Sequence, residues 1–193
     1  MTRRLALLLA AGLALAATAE ERLVLPTPDA WTRVDGVESP SLRRAVFAVP
    51  VDEETVDRLS VEWFASELAP GTDPLAVTEL LADGLRRSCL RAEDQPVHAG
   101  LENGYPVVVR LMSCARRRGG EEGEILMVKA IQGNTGLWTV VRARAVPAFD
   151  EAEEVPLEEA VVADWSRTLR DVLLCDDTAS EAHPCPVEPV DGG

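Results

Sequence analysis

Residues 123–145, GEILMVKAIQGNTGLWTVVRARA, constrain the fold more than any other stretch. Two apolar runs flank Gly133-Asn134-Thr135-Gly136, and alternation with period two is the pattern of strands rather than helices. Gly and Asn at the centre are a turn signal, because both tolerate the left-handed backbone that tight hairpins demand. With Asn134 and Thr135 as the loop, Leu126, Val128, Ala130, Thr139, Val141 and Ala143 share one face. The other carries Ile125, Met127, Lys129, Ile131, Trp138, Val140, Arg142 and Arg144. The first face is small and apolar and suits packing beneath a helix. The second sets three cations among aliphatic side chains. Its default reading is a partly solvated face, whose cations lay their stems over apolar neighbours and meet carboxylates such as Glu62 or Glu124. The functional reading makes Lys129, Arg142 and Arg144 a ligand site in an apolar-lined groove for an anionic ligand or partner segment.

Other segments join this hairpin. LSVEWFA (59–65) alternates, with Leu59, Val61, Trp63 and Ala65 on one side. LRRAVFAV (42–49) is rich in strand formers, YPVVVRLMSCA (105–115) reads as a strand covered on both faces, and residues 22–34 offer a short first strand around Trp31. Trp31, Trp63, Trp138 and Trp165 are the large anchors of a chain poor in aromatic residues; three of them sit in strong strand or helix patterns, and core packing is the expected role of those three. DPLAVTELLADGLRRSC begins a helix with Asp73 as N-cap and Pro74 at the first helical position. Its apolar face is Val77, Leu80, Leu81 and Leu85, and Arg86 and Arg87 sit favourably in the last turn. PLEEAVVADWSRTLRDVLLC (156–175) reads as a second helix with a stripe of Leu157, Val161, Trp165, Leu169, Val172 and Leu173, and with Arg167 and Asp171 as an i,i+4 pair. The order β-β-β-α-β-β-β-α clusters its strands, which predicts an α+β fold with an antiparallel sheet packed by two main helices.

The N-terminus bears on location. MTRRLALLLAAGLALAATA places Arg3 and Arg4 before an apolar run and Ala17-Thr18-Ala19 before Glu20, the layout of a secretory signal peptide over residues 1–19. The run is too short to span a bilayer, and no cysteine follows to anchor a lipid. A soluble periplasmic or secreted chain with no stable membrane insertion after cleavage is expected. Residues 20–175 then form one α+β domain, and residues 176–193 an acidic, proline-rich tail tethered by a disulfide. The four cysteines allow three pairings in an oxidising space. Proximity favours Cys175–Cys185, which leaves Cys89–Cys114.

Charge excludes some partners. The chain has 33 acidic against 19 basic residues and a net charge of −14, a field that disfavours nucleic acid. Lys129 is the sole lysine, an arginine bias that reads first as genome composition. ARRRGGEEGE (115–124) is a looser hairpin loop with opposed charges, or a docking arm. No catalytic motif stands out: there is no G-x-S-x-G and no phosphate-cradling loop, and His98 reads as a surface histidine near a turn. The acidic runs at 52–54 and 151–154 lack the glycine punctuation of a calcium loop. No C-x-x-C exists to suggest zinc. No metal or cofactor is expected, and the chain is read as a non-enzyme.

The strand LSVEWFA, a helix ending at a cysteine, NGYPVVVRLMSC, GEILMVKAIQG, GLWTVVRARA and a terminal DWSRTLRDVLLC follow one order over about residues 40 to 175. That order resembles small periplasmic proteins with the PsbP-like α/β/α sandwich, including the DcrB-like group. The resemblance implies an antiparallel sheet between helices and a non-enzymatic accessory or binding role, and it carries over no functional residue. The expected function is therefore an exported accessory or binding protein whose partner is an unknown protein or small anionic ligand. The alternatives are an inhibitor or assembly factor docking through the sheet face or the arginine hairpin, and a hydrolase whose polar residues converge only in three dimensions.

Overall fold

A computed structural model of the chain describes residues 21–26, 31–50, 56–67, 72–150, 156–179 and 181–186. The expected leader (1–19), the acidic runs at 52–54 and 151–154, and the last residues of the tail lie outside the described residues. In chain order the elements are β1 (Glu21–Val24), β2 (Thr32–Glu38), β3 (Leu42–Pro50), β4 (Val56–Ala65), α1 (Pro74–Ser88), β5 (Cys89–Asp94), β6 (His98–Glu102), β7 (Tyr105–Arg117), β8 (Glu122–Gln132), β9 (Gly136–Pro147), α2 (Glu159–Asp171) and β10 (Leu173–Asp176). The fold is α+β. An antiparallel sheet runs β2-β3-β4-β9-β8-β7-β5, with β6 also on β7, and β1 pairs β10 in a separate ribbon.

The central hairpin pairs Ile131 with Trp138, Lys129 with Val140 and Met127 with Arg142, so its two faces are those given by alternation. Gly133 N–H donates to the Gly136 carbonyl at 2.8 Å to close the turn. Asn134 does not take a left-handed backbone, because among the described non-glycine residues only Asn103 has a positive φ, 49°. Asn103 and Gly104, at φ 49° and 81°, turn β6 into β7 with Glu102 opposite Tyr105. Two consecutive positive φ angles are the requirement of a type I′ hairpin.

The helices cover opposite faces. Asp73 caps α1 by accepting from the Ala76 N–H at 2.7 Å. Its buried positions are Pro74, Thr78, Ala82 and Leu85, not the expected stripe through Val77, Leu80 and Leu81. Small side chains at 78 and 82 let the helix lie close over Met112, Cys114 and Val128. The Cys89–Cys114 disulfide and the Arg110–Glu79 ion pair, 2.7 Å, hold that rotation. Leu80 is left 63% exposed.

On the other face α2 buries Trp165 and Leu169 against Leu59, Ile125, Met127 and Val140, the main core. This corrects the expectation that the second hairpin face is partly solvated: Lys129 and Arg142 are 0% and 3% exposed. The helix is also shorter than expected. It stops at Asp171, Val172 turns to extended backbone, and Leu173 to Asp176 become β10. Pairing with β1 and the Cys175–Cys185 disulfide hold that segment as strand. Arg167 meets Asp164 at 3.3 Å rather than Asp171.

Candidate functional site

The sequence-derived site residues come together, but their charges are used internally. Lys129 Nζ pairs with Glu102 and donates to the carbonyls of Leu169 and Val172. Burial pushes its pKa down, against the opposing pull of Glu102. Arg142 Nη2 and Arg144 Nε both reach the buried carboxylate of Asp57, and the Trp165 indole N–H points at the same carboxylate from 3.4 Å. Arg142 lies between two indoles, 4.4 Å from the Trp31 ring centroid and 5.5 Å from that of Trp165. Such stacking contributes roughly 0.5–2 kcal/mol, most where water is excluded. Three cations under a helix therefore lock α2 to the sheet. Glu62 and Glu124 are not their partners; Glu124 takes Arg58 and Arg117 instead.

Part of the same sheet face borders a groove. Beyond α2, toward β3 and the hairpin turn, lies a groove of 890 Å³ with Leu23, Arg43, Trp63, Ala65, Thr135 and Trp138 among its lining. That is within the range of ligand-binding clefts, about 300–1,000 Å³. Trp63 and Trp138 are cross-strand partners on β4 and β9, with ring centroids 6.3 Å apart and planes tilted by 51°. Gly136 makes that pair possible, because a Cβ there would stand 2.5 Å from Trp63 Nε1 and 2.3 Å from the Phe64 carbonyl oxygen. At the groove's end, Glu21 accepts from the backbone N–H groups of Asn134 and Thr135 at 2.6 and 2.9 Å, fixing β1 to the turn. Arg22 pairs with Asp177 at 3.0 Å on the rim.

Arg43 lies over Trp63, its guanidinium carbon 4.5 Å from the ring centroid. Arg43 and Trp138 also border a second hollow of 170 Å³, with Arg33, Glu38 and Val61. The buried indole N–H of Trp138 has no acceptor among the described residues. A donor left so costs about 1–3 kcal/mol. Alternation flagged Trp63 and Trp138 as core residues. Their edges also floor the groove, which the sequence signals only through Arg43 and Trp63 standing opposite each other on neighbouring strands.

Elsewhere, His98 is exposed on β6. A hollow of 300 Å³ sits beside Phe149 with Arg91, Arg116 and Asp150. In the arginine-rich loop, Arg117 pairs with Glu124, and Arg118 Nε donates to the Arg87 carbonyl at 3.0 Å. Among the described residues no three His, Cys, Asp or Glu side chains are placed to hold a metal ion, and no helix is long and apolar enough to cross a membrane.

No protein-family model matches the chain, so the PsbP-like and DcrB-like resemblance has no family match behind it. No curated protein matches it either. Among solved structures, it is similar to LpqN, involved in cell envelope biogenesis of Mycobacterium tuberculosis, at 15% identity and a TM-score of 0.43, covering 83% of this chain and 87% of that one. It is also similar to the Saccharomyces cerevisiae Ran-binding protein Mog1p, at 12% identity and a TM-score of 0.43, covering 78% of this chain and 85% of that one. At this level of similarity, neither protein's role carries over to this chain.

Proposed function

We propose that this chain is an exported, non-catalytic binding protein that receives a partner's polypeptide segment in the groove over Trp63 and Trp138. The observation that carries the reading is the groove itself: the α2 face of the sheet is sealed under Trp165 and Leu169, and a groove runs along it where Arg43, Trp63 and Trp138 meet. Aromatic and arginine side chains are the residue types that dominate binding hot spots. The leader-like N-terminus and the two disulfides support export to an oxidising space. Docking through the arginine hairpin is less favoured, because Arg117 and Arg118 are already engaged.

A photocrosslinking amino acid placed at Arg22 or Glu67, on the groove rim, tests the site. The expected result is one discrete adduct, shared by both positions and absent when the probe is moved to Leu101, which is 74% exposed on β6. Adducts from Leu101 with none from the rim would refute the assignment.

A further inference from the structure

We propose that the hollow over Trp138 is a carboxylate-binding site, in which Arg33 and Arg43 anchor one acidic residue of an extended polypeptide lying in the groove. This rests on the binding reading above and specifies its ligand.

Acidic residues outnumber basic ones by 33 to 19, and the cations beneath α2 all have carboxylates. Arg33 and Arg43 form no ion pair among the described residues, and both border the same hollow. Glu38 borders the same hollow, opposite Arg43 across the strand pair, and forms no ion pair with either arginine among the described residues. Asp35, the other carboxylate on β2, is occupied by the Gly36 N–H at 2.8 Å and by Arg44, and feels Arg33 only at longer range. Arg87, Arg116, Arg118 and Arg170 also lack an ion pair among the described residues. Of these, only Arg116 borders a described hollow, and there it is a single such arginine beside the Arg91–Asp150 ion pair.

Local geometry places the two guanidiniums. Arg33 folds back along β2 over Gly36, where a Cβ would come within 2.2 Å of its Nη2. Gly36 is opposite Ala45, two residues along β3 from Arg43. Arg43 is held over Trp63, and its guanidinium makes no hydrogen bond among the described residues. A planar guanidinium matches a carboxylate with two parallel N–H···O bonds, and a pre-oriented one loses less entropy in making them.

Size and charge narrow the ligand. At 170 Å³ the hollow is smaller than a whole small-molecule site and suits one head group. The shared lining of Arg43 and Trp138 leads the remainder of the ligand into the 890 Å³ groove, along the edge of the Trp138 ring. A net charge of −14 repels polyanions at long range, so the fit is to a single carboxylate flanked by neutral residues.

The test is an NMR titration with the capped peptide acetyl-Ala-Val-Glu-Val-Ala-amide, reading the indole ¹⁵N–¹H resonance of Trp138, alongside its Gln counterpart. Saturable movement of that resonance is expected, with binding at least tenfold weaker for the Gln peptide. Arg33→Gln, Arg43→Gln and Arg43→Lys should each weaken the Glu peptide tenfold or more. Gly36→Ala should do so with both arginines present, by displacing Arg33. Unchanged urea midpoints verify folding of each variant. Equal binding of the Glu and Gln peptides, or undiminished binding by the arginine variants, would overturn the carboxylate site while leaving the groove reading intact. Failure of both peptides to move Trp138 would also overturn it, and the crosslinking adduct judges the groove separately.

Discussion

Lys129 Nζ stands 2.8 Å from the carbonyl oxygen of Leu169, and at the same distance from that of Val172, beyond the end of α2. The only lysine of the chain thus caps a helix C-terminus from inside the core. There it meets unpaired carbonyls and the negative end of the helix dipole. Arginine's planar fork does not fit a point between two carbonyls and a carboxylate, whereas a compact ammonium with three donors does. Lys129→Met keeps the apolar stem and removes the donors. Each carbonyl orphaned in this way costs about 1–3 kcal/mol, so the urea midpoint should fall by the equivalent of at least about 2 kcal/mol. Lys129→Arg should not restore it. An unchanged midpoint for Lys129→Met would remove the capping role.

Asp57 is the corresponding carboxylate. Substituting Asp57→Asn leaves Arg142 and Arg144, whose side chains are 4% and 14% exposed, without their charge partner. Breaking a buried pair from one side costs about 3–5 kcal/mol. The loss should lie near the lower end, because Asp164 already stands 3.9 Å from Arg142. Denaturant unfolding measures it, and a loss below about 1 kcal/mol would show that the cluster is not what fastens α2.

The sequence reading succeeded where pattern and local chemistry agree. The hairpin faces, the Asp73 cap and both ends of α1 follow from alternation, capping and a proline. It failed where tertiary contacts decide. Alternation put Lys129 and Arg142 on one face, but nothing in the chain says that a helix carrying Trp165 will cover them. The end of α2 could not be read from Val172 and Leu173, since both continue the apolar period. Their switch to strand comes from β1, more than a hundred residues earlier. One signal was present and passed over: Asn103-Gly104, the strongest short hairpin dipeptide, starts β7. The groove was invisible because Trp63 and Trp138 serve the core and the open face at once.

Gly136→Ala tests how tightly that groove is built. The new Cβ would stand 2.3 Å from the Phe64 carbonyl oxygen, which is backbone and cannot swing aside. Overpacking of this kind costs about 1–3 kcal/mol. The substitution should lower the thermal midpoint and shift the Trp63 indole resonance, which Gly84→Ala, with nothing within 4 Å of its Cβ, should not do. Equal behaviour of the two variants would contradict the close seat of Trp63.

The two disulfides should contribute unequally. Cys89–Cys114 closes a separation of 25 residues and Cys175–Cys185 one of 10. Loop entropy then assigns about 3.5 and about 2.7 kcal/mol. The first bond also lies in the core beneath α1, so its double alanine variant should unfold at the lower urea concentration. Titration of the denatured, unreduced protein should find no free thiol. Four titratable thiols would contradict both pairings and the oxidising compartment with them.

Acid should loosen α1 through Asp94. Burial pushes its carboxyl up, but hydrogen bonds from Arg86 and Arg110 outweigh this and hold it below the ordinary 3.8. A carboxyl with a lowered pKa in the folded state stabilises fully above that ordinary value, and the contribution drains away as pH falls through the folded-state pKa. Glu79 and Asp83 share the same two arginines from α1, so the network comes apart as a unit. The thermal midpoint should therefore drop below about pH 4, where unfolded carboxyls begin to take up protons. Asp94→Asn should lie below the parent protein at pH 6 and converge with it toward pH 2. Parallel curves, with a constant gap from pH 6 to pH 2, would mean that Asp94 acts through packing rather than through its charge.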